Sequence, residues 1–203
     1  MIRVMVDRSV VQVGDPVLRR RAGEVPADRI TSEEVARLIE RMWDTLEAVP
    51  GVGLAAPQIG EPWRVVVVHD LPEFLEAFSD LQLVERERGS IEPYVLINPT
   101  LTAVGHETRT HFEGCLSVDG YTAAVERFHE VDVEFTDPAG QPRHRRVRGW
   151  HARILQHEVD HLDGLLYVDR MNTLTLCSVA SYRDLAELTT HEAISRLTGS
   201  AQD

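Results

Sequence analysis

The run Gln156-His157-Glu158-Val159-Asp160-His161-Leu162-Asp163-Gly164 contains His-Glu-x-x-His. On a helix, residues four apart share a face, so His157 and His161 can grip one metal ion from the same side. Glu158 then leans over an open coordination position, placed to take a proton from metal-bound water. The plain alternative is a surface helix whose two histidines fell at this spacing by chance. A third ligand elsewhere in the chain decides between them.

Three candidates for that ligand present themselves. A longer zinc pattern continues through a Gly to a further His; Gly164 is present, but Tyr167 stands where the His belongs. A downstream carboxylate would have to be Glu187 or Glu192, both in a stretch whose periodicity reads as packing. Cys115 is the better candidate. It follows Gly114, which admits close backbone approach, at the end of an expected strand. Two histidines and one cysteine with an open fourth position form a catalytic arrangement, because structural zinc sites are closed by four protein ligands. Cys177 reads as a small buried hydrophobe.

Gly51-Val52-Gly53-Leu54-Ala55-Ala56-Pro57-Gln58 superficially fits a dinucleotide-binding fingerprint. That fingerprint needs a strand before it and a helix after it, whereas here a helix precedes and Pro57 interrupts. It reads instead as a small-residue loop. At its end, the Gln58 side-chain amide can donate to a developing oxyanion.

The elements that hold these residues are legible in outline. Thr31 and Glu34 suggest a capping box for a helix whose apolar stripe is Val35, Leu38, Ile39, Met42, Leu46 and Val49, stopped by Pro50-Gly51. Arg64 to His69 reads as a strand buried on both faces. Residues 72–89 read as a short helix or ordered excursion. Tyr94 to Asn98 and Thr108 to Phe112 read as strands separated by Pro99 and Gly105. His129 to Thr136 and Pro142 to Arg148 form a hairpin around Asp137-Pro138-Ala139-Gly140. Trp150 opens the histidine helix and Gly164 caps its end. Trp150, Ile154, His157 and His161 share one face. Leu165 to Val168 reads as a short apolar strand or extended piece, and Tyr182 to Leu197 as a closing amphipathic helix. The fold class expected is α+β: antiparallel sheets packed around a central metal-binding helix, with an N-terminal and a C-terminal helix, in a single catalytic domain over residues 1–203.

Composition narrows the function. Against 33 acidic residues stand 21 basic ones, a net charge of −12, and all 21 are arginine. Such a chain is a poor general binder of nucleic acid or anionic membrane, and it offers no lysine for Schiff-base chemistry or a P-loop. The Arg143, His144, Arg145, Arg146, Arg148 run lacks interleaved aromatics and reads as an exposed strand. Two cysteines make no disulfide framework. Met1 to Asp7 lacks the apolar core of a signal peptide, and the Val65–Val68 run is far too short to span a bilayer. A cytoplasmic location is the expectation.

Three motifs together resemble one family. Gly51-Val52-Gly53-Leu54-Ala55-Ala56-Pro57-Gln58, Glu113-Gly114-Cys115-Leu116-Ser117 and His157-Glu158-Val159-Asp160-His161-Leu162-Asp163-Gly164 stand in the order found in peptide deformylases, and Gly14-Asp15-Pro16-Val17-Leu18 is similar to the family's opening. The resemblance covers about residues 10 to 170. It implies removal of the N-formyl group from nascent polypeptides that begin with formyl-methionine, with release of formate. It implies that Cys115, His157 and His161 bind the metal: Fe2+ in the cell, with Zn2+, Ni2+ or Co2+ as substitutes. Metal-bound hydroxide would attack the formyl carbon with Glu158 as general base and acid, and the Gln58 amide and Leu116 backbone N–H would meet the oxyanion. An apolar pocket for methionine is expected from Val52, Trp150 and Ile154, with plain core packing as the alternative. The backbone of Gly53 and of residues 115–120 is expected to pair with the extended peptide.

The chain departs from the pattern in places. Val118-Asp119-Gly120-Tyr121-Thr122 replaces the proline and nearby arginine of many bacterial members, and Gly149-Trp150-His151-Ala152-Arg153-Ile154 resembles the organelle-type branch. A basic ribosome-docking terminal helix is not expected, since Asp184, Glu187, Glu192 and Asp203 outweigh Arg183 and Arg196; ribosome contact would be transient proximity. Two rival readings remain: a cytosolic zinc aminopeptidase or protease, which needs a carboxylate ligand, and an inactive peptide-binding scaffold, which leaves an intact set of chemical groups unexplained.

Overall fold

A computed structural model describes residues 10–199; Met1 to Asp7 and Asp203 lie outside them. The chain folds as α1 (Glu33–Glu47), β1 (Gly53–Ala55), β2 (Val65–Asp70), α2 (Pro72–Leu75), α3 (Asp80–Arg86), β3 (Ile91–Ala103), β4 (Thr108–Cys115), β5 (Val118–Phe128), β6 (Glu130–Thr136), β7 (Pro142–Arg148), α4 (Gly149–Leu162), β8 (Cys177–Ser178), α5 (Val179–Tyr182) and α6 (Thr190–Thr198). Five strands form one sheet in the order β1-β2-β3-β6-β7, and three form a second in the order β4-β5-β8. Every pairing between these strands is antiparallel. The expected α+β class is the one observed.

The valine run in β2 explains the layering. Side chains alternate across a strand. Val65 and Val67 enter one core with Leu38, Met42 and Leu46 of α1, while Val66 and Val68 enter another with Ile154, Leu155 and Leu162 of α4. The larger sheet is thus covered by α1 on one face and by the histidine helix on the other. That is why β2 has no polar alternation.

Several local expectations need correction. Ser32, not Thr31, caps α1 by accepting from the Val35 N–H at 3.3 Å, and Glu34 pairs with Arg29 instead of closing a capping box. Pro99 does not end a strand. β3 runs through it with a shift of register between Ile97 and Thr100, and Asn98 takes a positive φ of 53°. The Asn98 amide rewards that conformation by bonding both N–H and C=O of Val25 at 2.9 Å, a bulge fixed from outside the sheet. Leu165 to Val168 is not a strand: a 3-10 turn spans Tyr167–Asp169, with the Asp169 carboxylate accepting from the Leu166 N–H at 2.8 Å. The closing helix is broken, because Thr189 and Glu192 make a reciprocal capping box that starts α6 afresh. β5 was not foreseen as a strand. Among the described residues no helix is long and apolar enough to cross a membrane.

Candidate metal centre

Cys115 is the last residue of β4, and the chain reverses immediately. Cys115 pairs with Val118 across a turn made of Leu116 and Ser117. The turn folds the Ser117 N–H back toward the thiol, 3.4 Å from Sγ. α4 enters from the other side and places His161 Nε2 at 3.2 Å from Sγ. The ligand atoms of Cys115, His157 and His161 all lie within 4.8 Å of one another. A thiolate and two imidazoles on one side of a point are a donor set for a divalent transition metal, so the residues fit such an ion.

The imidazoles are oriented from behind. His157 Nδ1 donates to Glu113 Oε2 at 2.9 Å, which leaves Nε2 with its lone pair free to ligate. Glu113 is in turn clamped twice, by Arg127 through two bonds of 3.0 Å and by Arg153 at 2.6 Å. Arg127 also reaches Asp160, which receives Arg170 at 2.7 and 2.8 Å. Burial opposes ionisation of Glu113, yet the hydrogen bond from His157 and the charge of Arg127 hold its carboxyl well below the usual range. Burial opposes charge on both imidazoles. On His161 it prevails and lowers the pKa well below the ordinary value, whereas on His157 the neighbouring Cys115 and Glu113 outweigh it.

Glu158 is 5% exposed, and its Oε2 finds no partner among the described residues. Burial pushes its carboxyl up to about 7, against a weaker downward pull from His157. Gly53 makes this position possible, since a Cβ there would stand 2.5 Å from Glu158 Oε1. Gln58 Nε2 lies 3.7 Å from Cys115 Sγ and 3.3 Å from Ser117 Oγ, while its Oε1 accepts from the Ala55 N–H at 2.8 Å. A bond to its own loop thus aims the amide at the cluster.

The sequence-derived residues converge: Gln58, Cys115, Leu116, His157, Glu158 and His161 meet at one place, with Gly53 against the glutamate. Val52, Trp150 and Ile154 share one apolar cluster; Ile154 is 4% exposed and packs with Leu155 and Leu162, as core packing requires. Within residues 115–120, Cys115 pairs with Val118, and the register shift beside it leaves Asp119 and Gly120 outside the ladder to β4, which resumes at Gly114 and Thr122. Among the described residues, the edge strand β1, which contains Gly53, pairs only with β2. The sequence motifs give no role to Ser117, Arg127, Arg153 or Asp160. A buried arginine one turn before His157 was the available sign, since a charge on an apolar helix face needs a partner. Tyr167 stacks on His157 with ring centroids 6.3 Å apart. The rival carboxylates stand elsewhere: Glu187 is exposed, and Glu192 is bound to Thr189.

Comparison with known proteins points to one family. The family model described as polypeptide deformylase matches residues 7–176. Peptide deformylase 1A, chloroplastic/mitochondrial, of Arabidopsis thaliana is 45% identical over 84% of this chain and 63% of its own length. Peptide deformylase 2 of Pseudomonas putida is 38% identical over 81% of this chain and 87% of its own. The chain spans only about three-fifths of the plant relatives it matches, 63% and 61%. A Met-Ala-Ser-bound class I type b peptide deformylase from Acinetobacter baumannii superposes with TM-score 0.71 at 32% identity, over 80% of this chain and 96% of that one. A peptide deformylase from Synechococcus elongatus in complex with actinonin gives 0.68 at 38%, over 81% and 80%. Matched across most of its length by the family model, the chain belongs to the polypeptide deformylase family.

Proposed function

We propose that the chain is a hydrolase that removes the N-formyl group from the formyl-methionine of nascent polypeptides and releases formate. The observation that carries this reading is the convergence of Cys115, His157 and His161 beside a Glu158 carboxylate oxygen that has no partner among the described residues. Cys115, His157 and His161 would hold a divalent ion, Fe2+ by family resemblance with Zn2+, Ni2+ or Co2+ as substitutes; when bound, it polarises a carbonyl and acidifies water.

The chain's own groups do the rest. Glu158, with a pKa near 7, takes a proton from the attacking water and returns it to the departing amine; a base poised near the operating pH is the effective one. The Gln58 amide and the Leu116 N–H donate to the formyl oxygen as it gains charge, and losing one such donor costs about 10²–10³ in rate. The peptide backbone pairs with the open edge of β1 at Gly53, and Val52, Trp150 and Ile154 form the apolar wall for the methionine side chain. The Met-Ala-Ser peptide named for the Acinetobacter relative supports a substrate of this shape. The enzyme is a single catalytic domain over residues 1–203, works in the cytoplasm, and meets the ribosome only by transient proximity.

The test is formate release from formyl-Met-Ala-Ser by anaerobically purified protein, with metal analysis of the same sample. Glu158→Gln is expected to keep its metal and lose turnover by about 10²–10⁴; substantial residual turnover sinks the general-base role.

A further inference from the structure

The histidine helix has a second face. Gln156, Val159, Asp160 and Asp163 turn away from the imidazoles and line a cleft of about 500 Å3 between the two sheets, within the size range of small-molecule sites. Arg21, Arg64, Arg127 and Arg170 also line it, against Glu126, Asp160 and Asp163. In a chain with 33 acidic and 21 basic residues, a cleft where guanidinium groups outnumber carboxylates is a local inversion of charge.

Two of these arginines are buried and held by hydrogen bonds. Arg64 bonds Asp163 and the carbonyls of Leu162 and Pro99, and Arg127 bonds Glu113 and Asp160. The other two are exposed. Arg21, its side chain 77% exposed, comes only within 3.8 Å of Asp163. Arg170, 45% exposed, uses Nε and Nη2 on Asp160 and leaves Nη1 without a hydrogen bond among the described residues. Leu101, Val131 and Val159 supply apolar wall, and Phe128 stays 43% exposed beside them. Exposed guanidinium donors beside apolar side chains suit an anionic head on a small apolar body.

We propose that this cleft is a second ligand site, for a monoanion with an apolar body such as a medium-chain carboxylate, and that its occupancy is felt at the Cys115-His157-His161 cluster. An unbroken chain of charged contacts connects the two. Arg170 holds Asp160, Asp160 holds Arg127, Arg127 holds Glu113, and Glu113 holds His157 Nδ1. Asp160, Arg127 and Glu113 have side chains no more than 10% exposed, so solvent screens them little. An anion that engages Arg170 weakens its hold on Asp160, draws Arg127 toward Asp160, and loosens the clamp that orients His157. The transmission rests on the metal-centre reading above; the binding does not.

The experiment uses metal-loaded protein and two probes, 8-anilinonaphthalene-1-sulfonate followed by fluorescence and octanoate as its competitor. Saturable sulfonate binding, displaced by octanoate, is expected in the wild type and in Arg37→Gln, a surface arginine outside the cleft. Arg21→Gln and Arg170→Gln are each expected to weaken binding about tenfold, as loss of one charged hydrogen bond would. No saturable binding, or equal affinity in all four proteins, overturns the site. Should Arg170→Gln fail to fold, Arg21→Gln decides alone. The cobalt-substituted protein reads the transmission without any turnover: octanoate shifts its thiolate–cobalt absorption in the wild type and not in Arg170→Gln. Octanoate binding with no spectral change overturns the transmission and leaves the site standing.

Discussion

Glu113 shows how much a metal centre asks of residues that never touch the metal. Its two oxygens receive His157, Arg127 and Arg153 inside a region where its side chain is only 4% exposed. Replacing it with Gln keeps the size but removes the charge that justifies two buried guanidinium groups. Breaking such a buried network by removing one partner typically costs about 3–5 kcal/mol, and losing the group that orients a ligating histidine typically weakens metal binding about 10–100-fold. Glu113→Gln is therefore expected to lower both the denaturation midpoint and the metal affinity in a chelator competition; an unchanged affinity would refute the orienting role. Gly53 makes the complementary case. A methyl group there would meet the Glu158 carboxylate at 2.5 Å, and the Oε2 of that carboxylate has no hydrogen bond among the described residues. Gly53→Ala is expected to retain metal while turnover of formyl-Met-Ala-Ser falls by about tenfold or more, the size of effect that small misplacements produce. Full turnover would mean that the glutamate has room the structure does not grant it.

At the scale of elements, local signals succeeded where one residue type decides the outcome and failed where partners distant in sequence do. The α1 stripe and the β2 valines were legible because periodicity encodes which faces are buried. The cap of α1 lies one residue beyond Thr31, at Ser32. Ser32 accepts the Val35 N–H, so Ser32→Ala is expected to cost about 1 kcal/mol, whereas Thr31→Ala should leave thermal stability nearly unchanged; the reverse order in calorimetry would restore the capping box at Thr31. β5 escaped notice for a physical reason. Its Gly120, Ala123, Ala124 and Glu126 are poor strand formers alone, and the strand exists because it pairs with β4 from Thr122 to Phe128 and again at Val118. The same hairpin carries Cys115 to the histidines, so motif order, rather than any secondary-structure rule, brought the thiol to the site. The Arg127-Glu113-Arg153 clamp was illegible for a similar reason, since its members lie on three different elements. The break before α6 was written in Thr189 and Glu192, but the longer apolar periodicity masked it.

For the whole molecule, pH is the variable that sums these local environments. His111, which bonds Thr190 at 3.0 Å, and His151, which bonds the Tyr94 hydroxyl at 2.7 Å, are both pushed down to about 4, chiefly by burial and then by nearby arginine charge. Their ordinary pKa is 6.5. The fold thus favours the neutral form, and the unfolded chain binds more protons between about pH 6.5 and 4. Stability from both groups is complete above 6.5, is lost as pH falls through that window, and stops changing below about 4. Each contributes a slope of at most about 1.4 kcal/mol per pH unit. Glu158 has the opposite sign. Its raised carboxyl favours the fold at low pH and loses that contribution as pH rises toward 7, so the wild-type curve alone does not isolate the histidines. A difference between proteins does, because the glutamate is common to both. Urea unfolding of metal-loaded wild type and His151→Asn at pH 7 and at pH 4.5 is expected to show a clear deficit for the variant at pH 7, where it lacks the bond to Tyr94. That deficit should shrink by about 1–2 kcal/mol at pH 4.5, where the wild type bears the cost of an imidazole held neutral. A deficit of equal size at both values would mean that His151 titrates as it does in water.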